Sequence, residues 1–579
     1  MERTKRNGAQ IIIDVLEERG VRVVAGMPGG ANLPLYDALA QSRIRHVLVR
    51  HEQAAGFIAQ GMARANGGVG VCFATSGPGV TNLVTALADA QMDSIPVVAI
   101  TGQVPTALIG TQAFQEVDAV GMVRPIVKHA EMVRDVGELE GALRRAFELA
   151  VEGRAGPVLV DVPKDVQLAA AGVRVHRDVH GDTNGNERGI EDVHVGAHVR
   201  VHEFGSTGLD AGLLAQLTQL LAAARRPVLY VGGGVAAAGA HKALALLAQR
   251  QDLPVTCTLM GLGCFDPDAP GYLGMLGMHA APFTNLVLQE CDLLICIGAR
   301  FDDRATGKLS EFCPRARTIH VDIDPREIGR LRPVELGIAS DAQRFLSWFA
   351  ERAPAQERPE WRARVAYLRR RHPLPCPTGA GSAFAWLDRV SEHLSPDAIV
   401  TTDVGQHQMW VAQRMRFRGP RRLLTSGGLG TMGFGLPAAI GAALATERPV
   451  LCVTGDGSLM MNIQELATLA ELNSSVTILL FDNQHLGLVR QQQMLFYGER
   501  LSASAYERSV DFVTIARGFG IRATSLVTAA DANERLPALL RLPGPQLIHV
   551  PIDPDEMVLP MVAPGDGNHR MIGHDATLT

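Results

Sequence analysis

Apolar, β-branched runs alternate with amphipathic helical runs along almost the whole chain, and few folds accept that alternation. Residues 21–25, 69–74, 96–101 and 158–162 read as buried strands, with helices over 8–19, 53–66, 81–92 and 139–152 between them. Strands separated by helices of this length form parallel sheets covered on both faces, so the spacing predicts a doubly wound α/β domain. The pattern stops at Gln167. A second unit opens with a helix over 209–223 and a strand over 227–231, then continues through strands at 253–258, 293–298 and 318–322. A third runs from a strand at 398–402 to one at 546–552, with strands at 450–454 and 476–482 between. The expected fold class is α/β, with three doubly wound parallel-sheet domains over 1–172, 209–350 and 381–560. Linkers over 173–208 and 351–380 and a tail over 561–579 complete the chain.

The first linker is polar and holds His176, His180, His194, His198 and His202. The last three are spaced to line one face of a helix and could bind a metal. Gly196 and the interleaved valines oppose a helix there, so a solvated linker is the other reading. The net charge of −5 leaves no basic footprint for nucleic acid. The 8 cysteines form no CxxC pair and sit in apolar runs, as buried free thiols of a reducing, cytoplasmic protein would. Residues 11–13 are apolar but are followed at once by Asp14, Glu17 and Glu18, unlike a signal or transit peptide. The uncharged stretches 67–88 and 425–446 have the length of a membrane helix. Their glycines and prolines point instead to buried turns and core elements, so no membrane is expected. With 60 glycines and only 5% aromatics, the composition suits tight strand-to-helix turns and ligand sites lined by backbone.

One motif carries chemistry beyond packing. Gly455-Asp456-Gly457-Ser458 follows the apolar run 450–454, and Asn483 follows the next, 476–482. Two strand ends of one parallel sheet would bring a carboxylate and an amide oxygen together at its carboxyl edge. Such hard oxygen ligands suit Mg²⁺, which keeps phosphate oxygens in its shell. The glycines would let backbone N–H groups approach a diphosphate, and the following helix N-terminus favours the anion. Taken alone, Gly-Asp-Gly after a strand reads more simply as an ordinary turn. Glu52 opens a helix, where the helix dipole alone favours an acid. Gly232-Gly233-Gly234 follows the strand at 227–231, as a nucleotide-cradling turn or a merely flexible one would.

The pairing of Gly455-Asp456-Gly457 with Asn483 resembles the signature of thiamine-diphosphate enzymes. The likeness is to the branch of decarboxylases and synthases, whose three-domain order and thiamine-diphosphate-binding fold it implies. By that resemblance Asp456, Asn483 and the main-chain carbonyl of His485 would hold Mg²⁺. The family's usual pair of asparagines is here Asp482-Asn483. Val404, Gly405, Gln406 and His407 would bind the diphosphate, with Gly457, Ser458, Leu486 and Gly487. Residues 427–433, including Gly430, would clasp the pyrimidine, with Met432 as the apolar wedge that keeps the cofactor bent. Glu52 would lie against the aminopyrimidine and shift it to the imino form that removes the thiazolium proton. In the family this Glu reaches the cofactor of a partner subunit, which implies a homodimer or higher oligomer.

Four further motifs are similar to acetohydroxyacid synthase: Pro28-Gly29-Gly30, residues 110–116, residues 275–279 and residues 298–304. The likeness is to the catalytic large subunit, in its bacterial isozyme I type. It covers nearly the whole chain outside the His-rich linker and the tail. Gln112 stands where Asp is common and Ala280 where Gly is common. The implied reaction decarboxylates pyruvate and joins the hydroxyethyl carbanion to a second 2-keto acid, pyruvate or 2-ketobutyrate. The products are 2-acetolactate or 2-aceto-2-hydroxybutyrate, precursors of branched-chain amino acids. The resemblance assigns Gly29, Gln115 and Lys164 to the substrate pocket and Phe114 and Met278 to its apolar wall. Arg304 would grip the carboxylate of the second keto acid with its planar fork.

The central domain would bind FAD, with no net redox role. Its residues by resemblance are Gly232, Gly233, Gly234, Thr258, Leu259, Met260, Met278, His279, Gly298, Ala299, Arg300, Asp302, Arg304, Asp322, Ile323 and Asp341. No valine-sensing domain is visible, so a regulatory small subunit is an expected partner. Glyoxylate carboligase has an apolar residue where Glu52 stands. Catabolic acetolactate synthases lack both FAD and the run from Arg300 to Arg304. An inactive paralogue would be expected to have lost Glu52, Asp456 or Asn483. Gln492 stands where most members carry a Trp that packs on the extra methyl of 2-ketobutyrate. The amide cannot supply that apolar wall, which predicts little preference for 2-ketobutyrate.

Overall fold

The central strands of this chain bury both faces, and the arrangement that allows it is a parallel sheet between two helical layers. A computed structural model describes residues 6–171, 201–203, 211–376, 379 and 381–573. It contains three such sheets. In spatial order the first is Arg45–Leu48, Val23–Gly26, Gly70–Ala74, Val97–Gln103, Pro157–Pro163 and His129–Met132. The third is Leu423–Leu424, Ile399–Thr402, Val450–Gly455, Val476–Asp482, Gln546–Pro551 and Arg522–Ser525. Counted along the chain, both follow the same order, 2-1-3-4-6-5. The central strands Val97–Gln103 and Pro157–Pro163 are buried at every residue.

The middle sheet differs. Its order is Tyr272–Met275, Val255–Cys257, Pro227–Val231, Leu293–Ile297, Arg317–Asp322 and Leu336–Ala339, with Val201–Glu203 at the far edge. Counted from Pro227–Val231, that is the 3-2-1-4-5-6 order of dinucleotide-binding sheets.

Three stretches expected as linker or tail carry structure. Val201–Glu203, within the expected first linker, pairs in parallel with Leu336–Ala339, so His202 is a strand residue. His176, His180, His194 and His198 lie outside the described residues. The expected second linker contains the helix Pro359–Arg371, whose Trp361, Val365 and Leu368 are buried. Trp361 Nε1 donates to Pro227 O at 3.1 Å. In the expected tail, Met561–Val562 and Met571–Ile572 form an antiparallel pair. Val562 N–H donates to Met278 O at 3.0 Å and Asn568 Nδ2 to Ala305 O at 2.8 Å, so this segment lies on the middle domain. None of the three has a long apolar run, because backbone pairing or a few anchoring side chains hold each in place.

The first and third domains meet through the helices Glu52–Asn66 and Gly435–Ala445. A Cβ on Gly61 would lie 2.3 Å from Ala438 O, and one on Gly441 2.2 Å from Ile58 O. The two backbones touch, which only glycine permits. All 8 cysteines are free, and seven of them are buried. Among the described residues no helix is long and apolar enough to cross a membrane.

Candidate active site

Ligands in open α/β sheets bind at the carboxyl ends of strands, where the strand order reverses. In the third sheet that point lies between Ile399–Thr402 and Val450–Gly455. The turn after the first strand holds Val404, Gly405, Gln406 and His407, and the turn after the second holds Asp456, Gly457 and Ser458. Ser458 Oγ donates to Val404 O at 2.8 Å. His407 is buried against Gly455, where a Cβ would lie 3.0 Å from its Nδ1. The next strand, Val476–Asp482, delivers Asn483. Its Nδ2 donates to Gln406 Oε1 at 3.1 Å, and its Oδ1 accepts from His485 N–H at 3.0 Å. Leu486 and Gly487 follow, with Leu486 N–H bonded to Ser504 O at 2.7 Å. Met432 faces the same turn, its Cε 3.6 Å from the position of a Cβ on Gly457. Gly430 has a φ of 73°, which glycine adopts without strain. The structure thus gathers the C-terminal residues expected at the cofactor into one patch.

The electrostatics of this patch are incomplete. Asp456 is buried, and its Oδ2 has no hydrogen-bond partner. Burial and then the neighbouring Asp482 carboxylate push its pKa up to about 7. Burial drives His407 down to about 3, so it is neutral, and its Nε2 is also unpartnered. A bare carboxylate oxygen beside an amide oxygen and a main-chain carbonyl is a donor set for a hard cation.

A second patch lies at the equivalent reversal point of the first sheet, between Val23–Gly26 and Gly70–Ala74. Glu52 is 6% exposed, and its Oε2 accepts from Asn82 Nδ2 at 2.9 Å. Around it the turn 75–79 meets Gly29 and Gln115. A Cβ on Gly29 would lie 2.6 Å from the Thr75 side chain, and one on Gly77 2.9 Å from Gln115 Cα. Gln115 itself has a φ of 61°. Phe114 is 88% exposed, an unpartnered apolar ring at the rim. Lys164 opens the helix Lys164–Leu168 after the strand Pro157–Pro163. Within the chain, Asn462 ties the start of the Glu52 helix to the end of the 427–433 loop, with Nδ2 donating to Gln53 Oε1 at 3.2 Å and Gly433 O at 2.8 Å.

In the middle sheet the order reverses between Pro227–Val231 and Leu293–Ile297. The turns there hold Gly232, Gly233 and Gly234 on one side and Gly298, Ala299 and Arg300 on the other. A Cβ on Gly232 would lie 2.2 Å from Gly298 O, so the two turns are in backbone contact. Thr258, Leu259 and Met260 end the neighbouring strand; Asp322 and Ile323 end the one beyond. Burial pushes Asp322 up to about 6 and His279 down to about 4. Asp302 and Asp341 cap helix N-termini, which occupies one oxygen of each. Arg304 is 63% exposed at its side chain, and its Nη1 lies 3.5 Å from Met278 Sδ. Next to them is a cavity of about 60 Å³ between Met278, Asp303, Gly307 and residues 562–565. Gln492 lies half-buried on the helix Gly487–Phe496.

Three parts of the chain match thiamine pyrophosphate enzymes. Residues 6–122 match the N-terminal TPP binding domain, 214–349 the central domain and 403–550 the C-terminal TPP binding domain. The chain is 48% identical over 575 residues to the acetolactate synthase isozyme 1 large subunit of Escherichia coli (strain K12), covering 99% of this chain and 98% of that one. It is 46% identical over 573 residues to the isozyme 2 large subunit of the same organism, covering 98% and 99%. To the acetolactate synthase large subunit of Parasynechococcus marenigrum (strain WH8102) it is 46% identical over 581 residues, covering 98% and 91%. The chain belongs to the acetolactate synthase large-subunit family of thiamine pyrophosphate enzymes.

Sequence reasoning missed Asn82, Tyr506 and residues 562–568. Asn82 follows the Gly77–Gly79 turn within the first turns of a helix, a position that a polar residue in an apolar run could have marked. Tyr506 is brought to Gly457 by a long loop and leaves no local signal.

Gly487 offers a direct test of the third-domain patch. A Cβ there would lie 2.0 Å from Gln406 Oε1 and 2.7 Å from Asn483 Nδ2. Gly487→Ala must push both amides out of their shared bond. Thiamine pyrophosphate binding should weaken by about tenfold or more, read by calorimetric titration, with little change in unfolding temperature.

Proposed function

We propose that this chain is an acetolactate synthase, which decarboxylates pyruvate and joins the remaining two-carbon unit to a second 2-keto acid. Near-full-length identity to acetolactate synthases carries this reading, and the bare Asp456 oxygen at the strand reversal agrees with it. Bound thiamine diphosphate would supply the carbon nucleophile and the electron sink that loss of CO₂ from pyruvate and transfer of its two-carbon remainder require. Asp456, Asn483 and the His485 carbonyl would hold Mg²⁺ on the diphosphate, and Val404–His407, Ser458 and Gly487 would line the diphosphate itself. Glu52 would hold a proton on the aminopyrimidine, oriented by Asn82. Arg304 would take the second substrate's carboxylate, because among the described residues its guanidinium has no carboxylate partner closer than Asp303, 3.8 Å from Nε. Gly29, Phe114, Gln115, Lys164 and Met278 would shape the pocket and keep water from it.

The first-domain and third-domain patches would complete each other across a homodimer or higher oligomer. Met92, Leu429, Met460 and Met461 are 38%, 42%, 45% and 54% exposed near residues 427–433, as an apolar interface rim would be. The relatives are named large subunits, which supports a smaller regulatory partner for this chain too. The middle domain as an FAD-binding unit, extended beyond 209–350 by Val201–Glu203 and the helix Pro359–Arg371, belongs to the same reading.

The full-length chain with thiamine diphosphate and Mg²⁺ should form acetolactate from pyruvate. Glu52→Gln should lower turnover by about 10²–10⁴ while the fold is kept. Unchanged turnover in that variant removes Glu52 from the chemistry.

FAD in the middle domain is supported by the 3-2-1-4-5-6 strand order and the paired glycine turns at its reversal. Purified protein should carry flavin absorbance and release flavin on denaturation. A flavin analogue that cannot be reduced should sustain full turnover, and colourless but fully active protein refutes the assignment.

Gln492 makes the last prediction here. One methylene against an apolar wall is worth about 1–3 kcal/mol, or roughly 10–200-fold. With Gln in that place, equal pyruvate and 2-ketobutyrate should give mainly acetolactate. Gln492→Trp should raise the share of acetohydroxybutyrate in the same competition assay. No rise in that share, or a strong native bias toward it, rules the role out.

A further inference from the structure

A buried charged cluster ties the first domain to residues 425–431 of the third. Arg64, on the helix Glu52–Asn66, is 7% exposed. Its Nη1 donates to Thr425 O at 2.9 Å and its Nη2 to Asp93 Oδ2 at 2.9 Å, with Asp89 Oδ2 at 3.5 Å. Its guanidinium carbon lies 5.0 Å from the centroid of the Phe434 ring. Asp89 and Asp93 stand one turn apart on the helix Pro78–Asp93 and point the same way. Asp93 accepts from the backbone N–H groups of Gly427 at 2.9 Å and Gly428 at 2.7 Å. Asp89 Oδ1 accepts from the Ser426 hydroxyl and, at 3.1 Å, from that of Thr431.

One arginine faces two carboxyl groups whose side chains are 0% and 1% exposed, and burial and the neighbouring Asp93 push the Asp89 pKa up, so a shortfall of donors there is costly. The donors that offset it all come from residues 426–431. The loop also has no slack: a Cβ on Gly427 would lie 2.4 Å from Met260 Sδ, and one on Gly428 2.8 Å from Met92 Cβ. Asp93 therefore fixes where the loop begins, and Asp89 bridges its two ends. The stretch between, with Leu429 42% exposed, is the part left to face a ligand.

We infer that Arg64, Asp89 and Asp93 are positioning residues, by which the first domain holds the 425–431 loop in the shape that clasps the cofactor's pyrimidine. The inference rests on the reading of that loop as the thiamine diphosphate clasp. A cluster that served only to dock the two domains would lower stability when weakened. A positioning cluster lowers cofactor affinity beyond any loss of folded protein.

The test uses the full-length chain freed of cofactor, titrated calorimetrically with thiamine diphosphate in Mg²⁺, with unfolding temperature read on the same samples. Asp93→Asn keeps the size but leaves one backbone N–H without its charged acceptor. It should weaken binding by roughly 10–100-fold, with turnover at saturating cofactor within about threefold of wild type. The milder double variant Ser426→Ala, Thr431→Val removes both hydroxyl bonds to Asp89, together with the Thr431 N–H bond to Ser426 Oγ at 2.8 Å, and should weaken binding roughly 3–10-fold. Should Asp93→Asn fail to fold, the double variant decides alone. Wild-type affinity in the folded variants, whatever their unfolding temperature, overturns the inference. Asp456→Ala separates the two readings: if it alone loses affinity, the cofactor site stands and the positioning cluster falls. If the wild-type chain does not bind thiamine diphosphate at all, both fall.

Discussion

Two glycines set how closely the first and third domains of one chain meet, and that spacing fixes where the chain presents each of its two candidate patches. At Gly61 and Gly441 each helix presents bare backbone to a carbonyl of the other, the Ala438 and Ile58 oxygens. A methyl at either place would force the helices apart by a sizeable fraction of its own diameter. One of these helices begins at Glu52, and the other begins just after the loop 427–433. Their contact makes the proposed acid and the proposed clasp parts of one rigid body. The Asn462 and Arg64 bonds then lock the rotation that two touching helices would still allow.

The buried carboxylates fall into two groups. Asp403 accepts from Gly435 N–H and the Thr454 hydroxyl, and Asp161 from Thr101 and Gln103. Both are raised by burial, yet every one of those oxygens has a donor, as in a group that serves the fold. Asp456 keeps a bare oxygen next to a second carboxylate, Asp482. Asp482 is itself bonded by His549 Nε2 at 3.0 Å. No donor of the third domain completes the Asp456 shell, so the deficit is one that a bound cation would fill.

The spacing of apolar runs made the three sheets legible, because strands buried on both faces carry few polar residues to blur the pattern. The glycine motifs were legible for a related reason. A close backbone approach, such as that between Gly232 and Gly298, accepts no other residue. The strand Val201–Glu203, the helix Pro359–Arg371 and the paired residues near 561–572 were not legible. A three-residue edge strand has too few residues for periodicity, and a surface helix with three buried side chains resembles a charged linker. Residues 562–568 earn their place through backbone bonds to Met278 and Lys308, which composition does not record. Asp89 and Asp93 left a trace, two acids one turn apart in an otherwise uncharged helix. Their partner Arg64 is on another helix, and the loop they hold lies more than three hundred residues away.

By itself the sequence determined the class of fold and the chemical identity of each candidate group. Both follow from local facts, the period of apolar residues and the kinds of side chain that stand at strand ends. Only the tertiary structure decided which strand ends coincide. Two sheets share the 2-1-3-4-6-5 order and the middle one takes 3-2-1-4-5-6, and no residue-level pattern distinguishes these. It also decided which buried acids are satisfied and which are left wanting. Whether a carboxylate has a donor depends on atoms brought from distant parts of the chain, and that geometry exists only once the domains have closed on one another.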